Sequence, residues 1–138
     1  MFRRLVYLLT SYDGRITRRA FWLSLPLLAF ISVILLFGGA LIDLWLFNQL
    51  GLLDSGLVDF GPLTIISVVV TWYLQLAVIV KRLHDRNKRA RWLWLAQVPI
   101  LGTIWLVIET GFLRGTAGPN DWGDDPRSRP GSNVAVVP

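Results

Sequence analysis

Three long apolar runs fill most of this chain, and its charges are packed between them. Phe21 to Ile42 is 22 residues without an ionisable side chain, Pro62 to Val80 is 19, and Trp92 to Ile108 is 17. Apolar character resumes past Glu109 to Leu113. As α-helices rising about 1.5 Å per residue, these runs would reach roughly 33, 28 and 25–33 Å. The hydrocarbon core of a bilayer is about 30 Å thick. A surface helix of a soluble domain buries one stripe and keeps a polar face, and the first run has almost none. The expected fold is an all-α integral membrane protein, a single membrane domain over about residues 1–126. Three transmembrane helices are expected at about 20–43, 62–82 and 91–113. A mean hydropathy of +0.53 agrees.

The chain has no cysteine and one histidine, His84. Disulfides, thiolate metal sites and cysteine nucleophiles are excluded, as are multi-histidine metal centres within a monomer. No cofactor is expected. The first run is too long for the apolar segment of a signal peptide and should remain as an anchor. A net charge of +5 could mean nucleic acid or anionic lipid. In a chain made mostly of membrane span it points to topology and lipid headgroups, and nucleic acid is not expected as a partner.

Lys and Arg are distributed very unevenly. Arg3, Arg4, Arg15, Arg18 and Arg19 precede the first run, and Lys81, Arg82, Arg86, Lys88, Arg89 and Arg91 lie between the second and third. The connection from Asn48 to Gly61 has none, only Asp54 and Asp59. Cytoplasmic flanks are enriched in Lys and Arg. The N-terminus and the 81–91 loop are therefore expected in the cytoplasm, with the 48–61 loop outside. Trp22, Trp92 and Trp94 fall at the inner interface and Trp45 near the outer one, as amphipathic indoles favour.

Phe2, Leu5, Val6 and Leu9 fall at i, i+3, i+4 and i+7, which predicts a short interfacial helix at about residues 2–12. Asp13-Gly14 reads as a turn and Thr17 as the N-cap of the first span. Composition changes abruptly at Gly115. An ordered, turn-rich tail is expected to Pro126, and a disordered end over 127–138.

Four local motifs recur in order: Gly14-Arg15-Ile16-Thr17-Arg18-Arg19 before Phe21-Trp22; Arg82-Leu83-His84-Asp85 leading to Trp92; Pro99 with Gly102; and Gly115-Thr116-Ala117-Gly118-Pro119-Asn120-Asp121-Trp122-Gly123-Asp124-Asp125-Pro126. In this combination the chain resembles the domain of unknown function 805 family, small bacterial inner-membrane proteins, over about residues 10–126. The resemblance implies a multi-pass protein of the bacterial inner membrane, and no established biochemical activity. It marks Gly115, Gly118, Pro119, Asn120, Gly123, Asp125 and Pro126 as the motif residues of the tail.

Three groups of side chains could carry function. Arg82, His84 and Asp85 form a structural or gating cluster, or a solvated helix end. His84 could titrate near neutral pH, but no serine or cysteine with the needed spacing accompanies it. Thr64, Thr71, Gln75 and Arg82 fall within about 20° of one line on the second span. Ser32, Gly39 and Asp43 make a similar line on the first, and the two lines are expected to face each other. Such a stripe must meet protein or water. It lines a polar pathway, or it makes interhelical hydrogen bonds worth about 0.6 kcal/mol each; three helices enclose little space, which favours the second. Arg15, Arg18, Arg19, Lys88, Arg89 and Arg91 are read as a lipid-facing basic patch. Asp43 and Glu109 lie near span ends, where Glu109 could pair with Arg114. The tail's carboxylates lack the alternate spacing of a calcium loop.

The functional expectation is a non-enzymatic interaction or assembly module with a basic cytoplasmic face. Its partners would be anionic headgroups, other membrane proteins or a second copy. The alternative is a small transporter or channel component using the stripe on the second span. The side of the tail depends on the third run. Three full spans put it outside, whereas a break at Pro99 and Gly102 would make two half-helices and return it to the cytoplasm. Counting apolar residues favours three spans.

Overall fold

The computed structural model describes residues 2–51 and 61–128, with the side chains of residues 2–5 left out of that description. The first connection's Asp54 and Asp59 lie outside the described residues, as do residues 129–138 of the end expected to be disordered over 127–138; Arg127 and Ser128, at its start, are hydrogen-bonded to Asp125. Among the described residues the elements are helical: α1 (Phe2–Thr10), α2 (Arg18–Gln49), α3 (Pro62–Asp85), a 3₁₀ segment (Ala90–Gln97), α4 (Leu101–Val107) and a π-helical turn (Ile108–Phe112). Two compact units result. One comprises the described residues up to Leu23 together with those from Ala77 onward, and the other is Ser24–Leu76.

Two helices, Arg18–Gln49 and Pro62–Asp85, are long and apolar enough to cross a membrane. The expected third span is not one continuous helix, and the reason is local chemistry. Pro99 cannot donate a backbone N–H. The chain turns at Ile100, whose φ is 64°, with Leu101 N donating to Pro99 O at 2.7 Å. That is a γ-turn, a conformation β-branched residues rarely adopt. The 3₁₀ segment and α4 then fold against each other as a hairpin. Gly102 is required where they meet, because a Cβ there would occupy the position of the Leu95 carbonyl oxygen. Further from the turn, Trp92 stacks on Trp105 with centroids 5.6 Å apart.

In the Ser24–Leu76 unit, α2 and α3 meet through small and polar residues. A Cβ on Gly39 would lie 2.8 Å from Ser67 Oγ and 3.0 Å from the Leu63 carbonyl, whereas one on Gly38 would meet nothing within 4 Å. Small residues of this kind let membrane helices approach closely. Asp43 receives the Leu63 and Thr64 N–H groups at 3.1 and 2.7 Å and the Thr64 hydroxyl at 2.8 Å. It thus caps the start of α3, whose first N–H groups have no intrahelical acceptor. The carboxylate also fills the space beside Gly61. Along the α3 stripe, Thr64 is therefore engaged, Thr71 is buried with Oγ1 unpartnered among the described residues, and Gln75 is exposed.

The α2 start carries the expected cap, with Ala20 N donating to Thr17 Oγ1 at 3.2 Å. Beyond the end of helix α3 at Asp85, Asn87 has a φ of 56° and forms a left-handed C-terminal cap. Lys88 N donates back to Leu83 O and Asn87 N to His84 O, both at 2.9 Å.

Candidate functional site

Five consecutive residues at the end of α3, Lys81 to Asp85, are all buried, four of them polar or charged. No single face of a helix holds five successive residues, so this end is enclosed on every side. Each charge in it has a specific partner.

Lys81 donates through Nζ to the carbonyls of Tyr7, at 2.8 Å, and Leu8. Those groups lie in the last turn of α1, where carbonyls lack intrahelical donors and a cation complements the helix dipole. The same ammonium lies 5.3 Å from the Tyr7 ring centroid. Lys81 thus pins the N-terminal helix to α3. Leu9 and Ile16 are buried in this unit.

Asp85 is the centre of the cluster. Arg82, one turn earlier, is ion-paired with its Oδ2, and Arg15 reaches Oδ1 through Nε and Nη2 at 3.3 and 3.2 Å. The three side chains are 0–2% exposed. Both guanidiniums spend their remaining donors on backbone oxygens. Arg82 donates to Thr110 O at 2.7 Å and Leu113 O at 2.5 Å. Arg15 donates to the carbonyls of Thr116, Gly118 and Gly123 at 2.7, 2.8 and 3.1 Å. Buried charges persist when paired and fully hydrogen-bonded, and this cluster satisfies that condition.

The tail completes the enclosure. Thr116 N and Asn120 Nδ2 donate to the Asp85 and His84 carbonyls at 2.8 and 2.9 Å, satisfying the end of α3. Gly115 is needed because a Cβ would overlap the Asp85 carboxylate. Asn120 and Gly123 exchange backbone bonds at 3.0 and 3.1 Å, and Gly123 sits at φ 119°. That turn lays the Trp122 indole flat on His84, centroids 3.6 Å apart and planes 3° from parallel. Asp125 accepts from Gly118 N and from Arg127 N and Nε at 3.2, 2.9 and 3.0 Å. The backbone N–H of Arg127 and its guanidinium hold the Asp125 carboxyl below the usual carboxylate range. Pro119 and Pro126 bracket this segment.

Glu109 lies at the open end of the hairpin. It pairs with Arg86 Nε at 2.9 Å and Lys88 Nζ at 3.1 Å. This corrects the expected Arg114 partner, which contributes its carbonyl to Arg86 Nη1 at 2.6 Å instead. Lys88 also stands over Trp92 and Trp105, 4.5 and 4.9 Å from their centroids.

The residues read as a lipid-facing patch therefore divide. Arg15 is buried, because Asp85 and the tail carbonyls supply partners that lipid would otherwise supply. Lys88 is held by Glu109 and two indoles. Arg18, Arg19, Arg89 and Arg91 are exposed. Arg82 and Asp85 come together, whereas His84 is turned away from Asp85 toward Trp122. Its Nδ1 is buried without a partner among the described residues. Asp85 is taken up by two arginines, so it does not orient this imidazole as a base. Among the described residues no three His, Asp or Glu side chains gather as a metal site. Sequence reasoning missed the Arg15–Asp85 pair and the role of Lys81, because sequence separations of 70 and 74 residues leave no periodic signal. The one available hint was that Arg15 and the tail belong to motifs recurring together.

Residues 9–124 match the family described as Protein of unknown function (DUF805). Inner membrane protein YhaH of Escherichia coli (strain K12) is 31% identical over 121 residues, 87% of this chain and 90% of that protein. Inner membrane protein YhaI of the same organism is 30% identical over 118 residues, 85% and 86% of the two chains. Uncharacterized protein YiiR is 30% identical over 141 residues, with 85% and 86% covered. No solved structure matches.

Proposed function

The chain belongs to the DUF805 family, and from that premise we infer a non-enzymatic inner-membrane protein that offers a rigid, basic surface to the cytoplasmic leaflet. One observation carries this reading. The buried Arg15–Asp85–Arg82 cluster ties the N-terminal segment, the end of α3 and the tail into one body. Motif residues that could have served chemistry are consumed in holding that body together. Arg18, Arg19, Arg89 and Arg91 are left exposed around it. Each Lys or Arg near an anionic leaflet contributes about 1 kcal/mol of attraction.

The hairpin extends the surface into lipid. Its tip is apolar and exposed, with Ile100 73% and Leu101 71% accessible. A hairpin of this length enters the inner leaflet and returns without crossing. The tail then lies with Arg15 and Asp85 on the side that the Lys and Arg bias makes cytoplasmic.

Single cysteines test the topology in intact cells, since the chain has none. Asn48→Cys should react with an impermeant maleimide, while Asn87→Cys and Asp124→Cys should not. External labelling at 124 alone would overturn the hairpin, and external labelling at 87 would overturn the orientation. Binding to vesicles of increasing anionic content tests the surface. The transporter alternative predicts flux through proteoliposomes that depends on Thr71 and Gln75, and reproducible flux of that kind would displace the present reading.

A further inference from the structure

Two adjoining cavities lie at the start of α2, and both are lined by Arg18 and Arg19. The larger, about 570 Å³, is completed by Trp22, Leu23, Gly111 and Phe112 and is mainly apolar. The smaller, about 430 Å³, is completed by Thr17, Asp85, Gly115 and Arg127 and is more polar. Volumes of this order suit small-molecule sites. Both sets of lining residues belong to the unit that holds the charge cluster.

The walls are fixed by their own contacts. Trp22 Nε1 donates to Gly111 O at 3.0 Å, and its ring meets Phe112 edge-on at 5.8 Å and 74°. A Cβ on Gly111 would lie 3.0 Å from the Trp22 ring, so the glycine lets the indole seat there. Arg18 Nη1 donates to Phe112 O at 2.8 Å, which holds that side chain and leaves most of its donors open. Arg19 has no hydrogen-bond or ion-pair partner among the described residues.

The electrostatics select an anion. Asp85, the carboxylate lining the polar cavity, is already shared between Arg15 and Arg82. Two guanidiniums on one carboxylate leave a net positive charge, and Arg18 and Arg19 add two more beside it. Arg127, also at this cavity, is balanced by Asp125. An isolated phosphate would use the arginines and leave the apolar cavity unfilled. A zwitterionic lipid would bring its ammonium into a cationic recess.

We propose that these cavities bind one anionic phospholipid per chain: a phosphodiester on Arg18 and Arg19, its uncharged headgroup beside Thr17 and Arg127, and an acyl chain against Trp22, Leu23 and Phe112. The proposal rests on the basic-surface reading above and deepens it from diffuse attraction to a site. Arginine forks suit phosphate oxygens, and the indole sits at the depth where one end of the ring is wet.

The test is native mass spectrometry of the full chain in mild detergent, after graded delipidation, with phosphatidylglycerol or phosphatidylcholine added back. The wild type should retain one phosphatidylglycerol per chain, favoured over phosphatidylcholine by about tenfold or more. Arg19→Gln removes no hydrogen bond or ion pair among the described residues, so it should fold as wild type by thermal melting and lose that lipid about fivefold or more. Arg18→Gln with Arg19→Gln should abolish it. Arg89→Gln with Arg91→Gln should keep the single tight lipid while weakening adsorption to anionic vesicles. Displacement by glycerol 3-phosphate or inorganic phosphate would replace the lipid site with a phosphate site and overturn the proposal. Equal loss from the Arg19 and the Arg89/Arg91 variants would also overturn it. Graded anionic preference without a one-per-chain lipid sinks the site and leaves the surface reading standing; no anionic preference at all sinks both.

Discussion

Replacing Asp85 by Asn is the sharpest test of the charge cluster. The shape of the side chain is kept and one negative charge is removed from between two guanidiniums that are 0–1% exposed. Removing one partner of a buried ion pair costs about 3–5 kcal/mol, because the remaining charge stays buried and uncompensated. For a chain of this size, about 3–4 °C of melting temperature is lost per kcal/mol. The Asp85→Asn protein should therefore melt about 10–20 °C below wild type in the same detergent. Buried ion clusters elsewhere are often replaced by apolar residues without loss. That rescue should fail here, because Arg82 also supplies the donors for the Thr110 and Leu113 carbonyls. The triple replacement Arg15→Met, Arg82→Met, Asp85→Leu leaves these two carbonyls, and the Thr116, Gly118 and Gly123 carbonyls that Arg15 serves, without their arginine donors; at about 1–3 kcal/mol for each acceptor that stays buried, at least about 2–6 kcal/mol should remain lost. Intrinsic tryptophan fluorescence during heating reads the transition, since Trp122 is stacked in the same body. If Asp85→Asn melts within about 2 °C of wild type, the cluster does not organise this unit.

Other perturbations separate neighbouring residues with different roles. Gly39→Leu must displace the Ser67 hydroxyl and the Leu63 carbonyl and should cost about 1–3 kcal/mol or more in detergent melts. Gly38→Leu has open space and should stay near wild type, so equal losses would remove the proposed close approach. Lys88→Gln should lower stability through Glu109 and the Trp92–Trp105 pair, whereas Arg89→Gln with Arg91→Gln should leave melting unchanged and reduce binding to anionic vesicles. The vesicle effect should fade at high salt, where exposed charges are screened over about 8 Å or less. Asp125 has a depressed folded pKa, so its contribution is complete above the ordinary carboxylate value of about 3.9 and is lost as pH falls through the folded one. Hydrogen-exchange protection over 115–128, taken relative to the intrinsic exchange rate at each pH, should therefore be steady from pH 7 to pH 5 and fall only in stronger acid; a fall near neutrality would point to another group.

Length and hydropathy alone determined the helical membrane class. A run of 22 apolar residues has few other places to go, and satisfying its backbone in lipid requires a helix. The amphipathic start and the Thr17 cap were legible for the same reason, being set by residues within a turn or two of each other. The third run reads as one continuous helix because composition counts apolar residues and carries no record of direction, whereas the folded chain breaks it at Ile100. Pro99 and Gly102 were visible as a break, but whether the halves continue or double back depended on the Leu95 carbonyl fitting against a residue without a side chain. In the sequence Arg15 reads as a lipid contact, because an arginine beside a span looks the same whether its counter-charge is a headgroup or a carboxylate 70 residues away. Only the folded chain supplies that carboxylate, with the tail carbonyls, at a distance short enough to exclude water and lipid. Local sequence thus set which segments are helices and which of them are apolar enough to cross a membrane, and tertiary contact chose which of the many arginines became structure and which stayed at the surface.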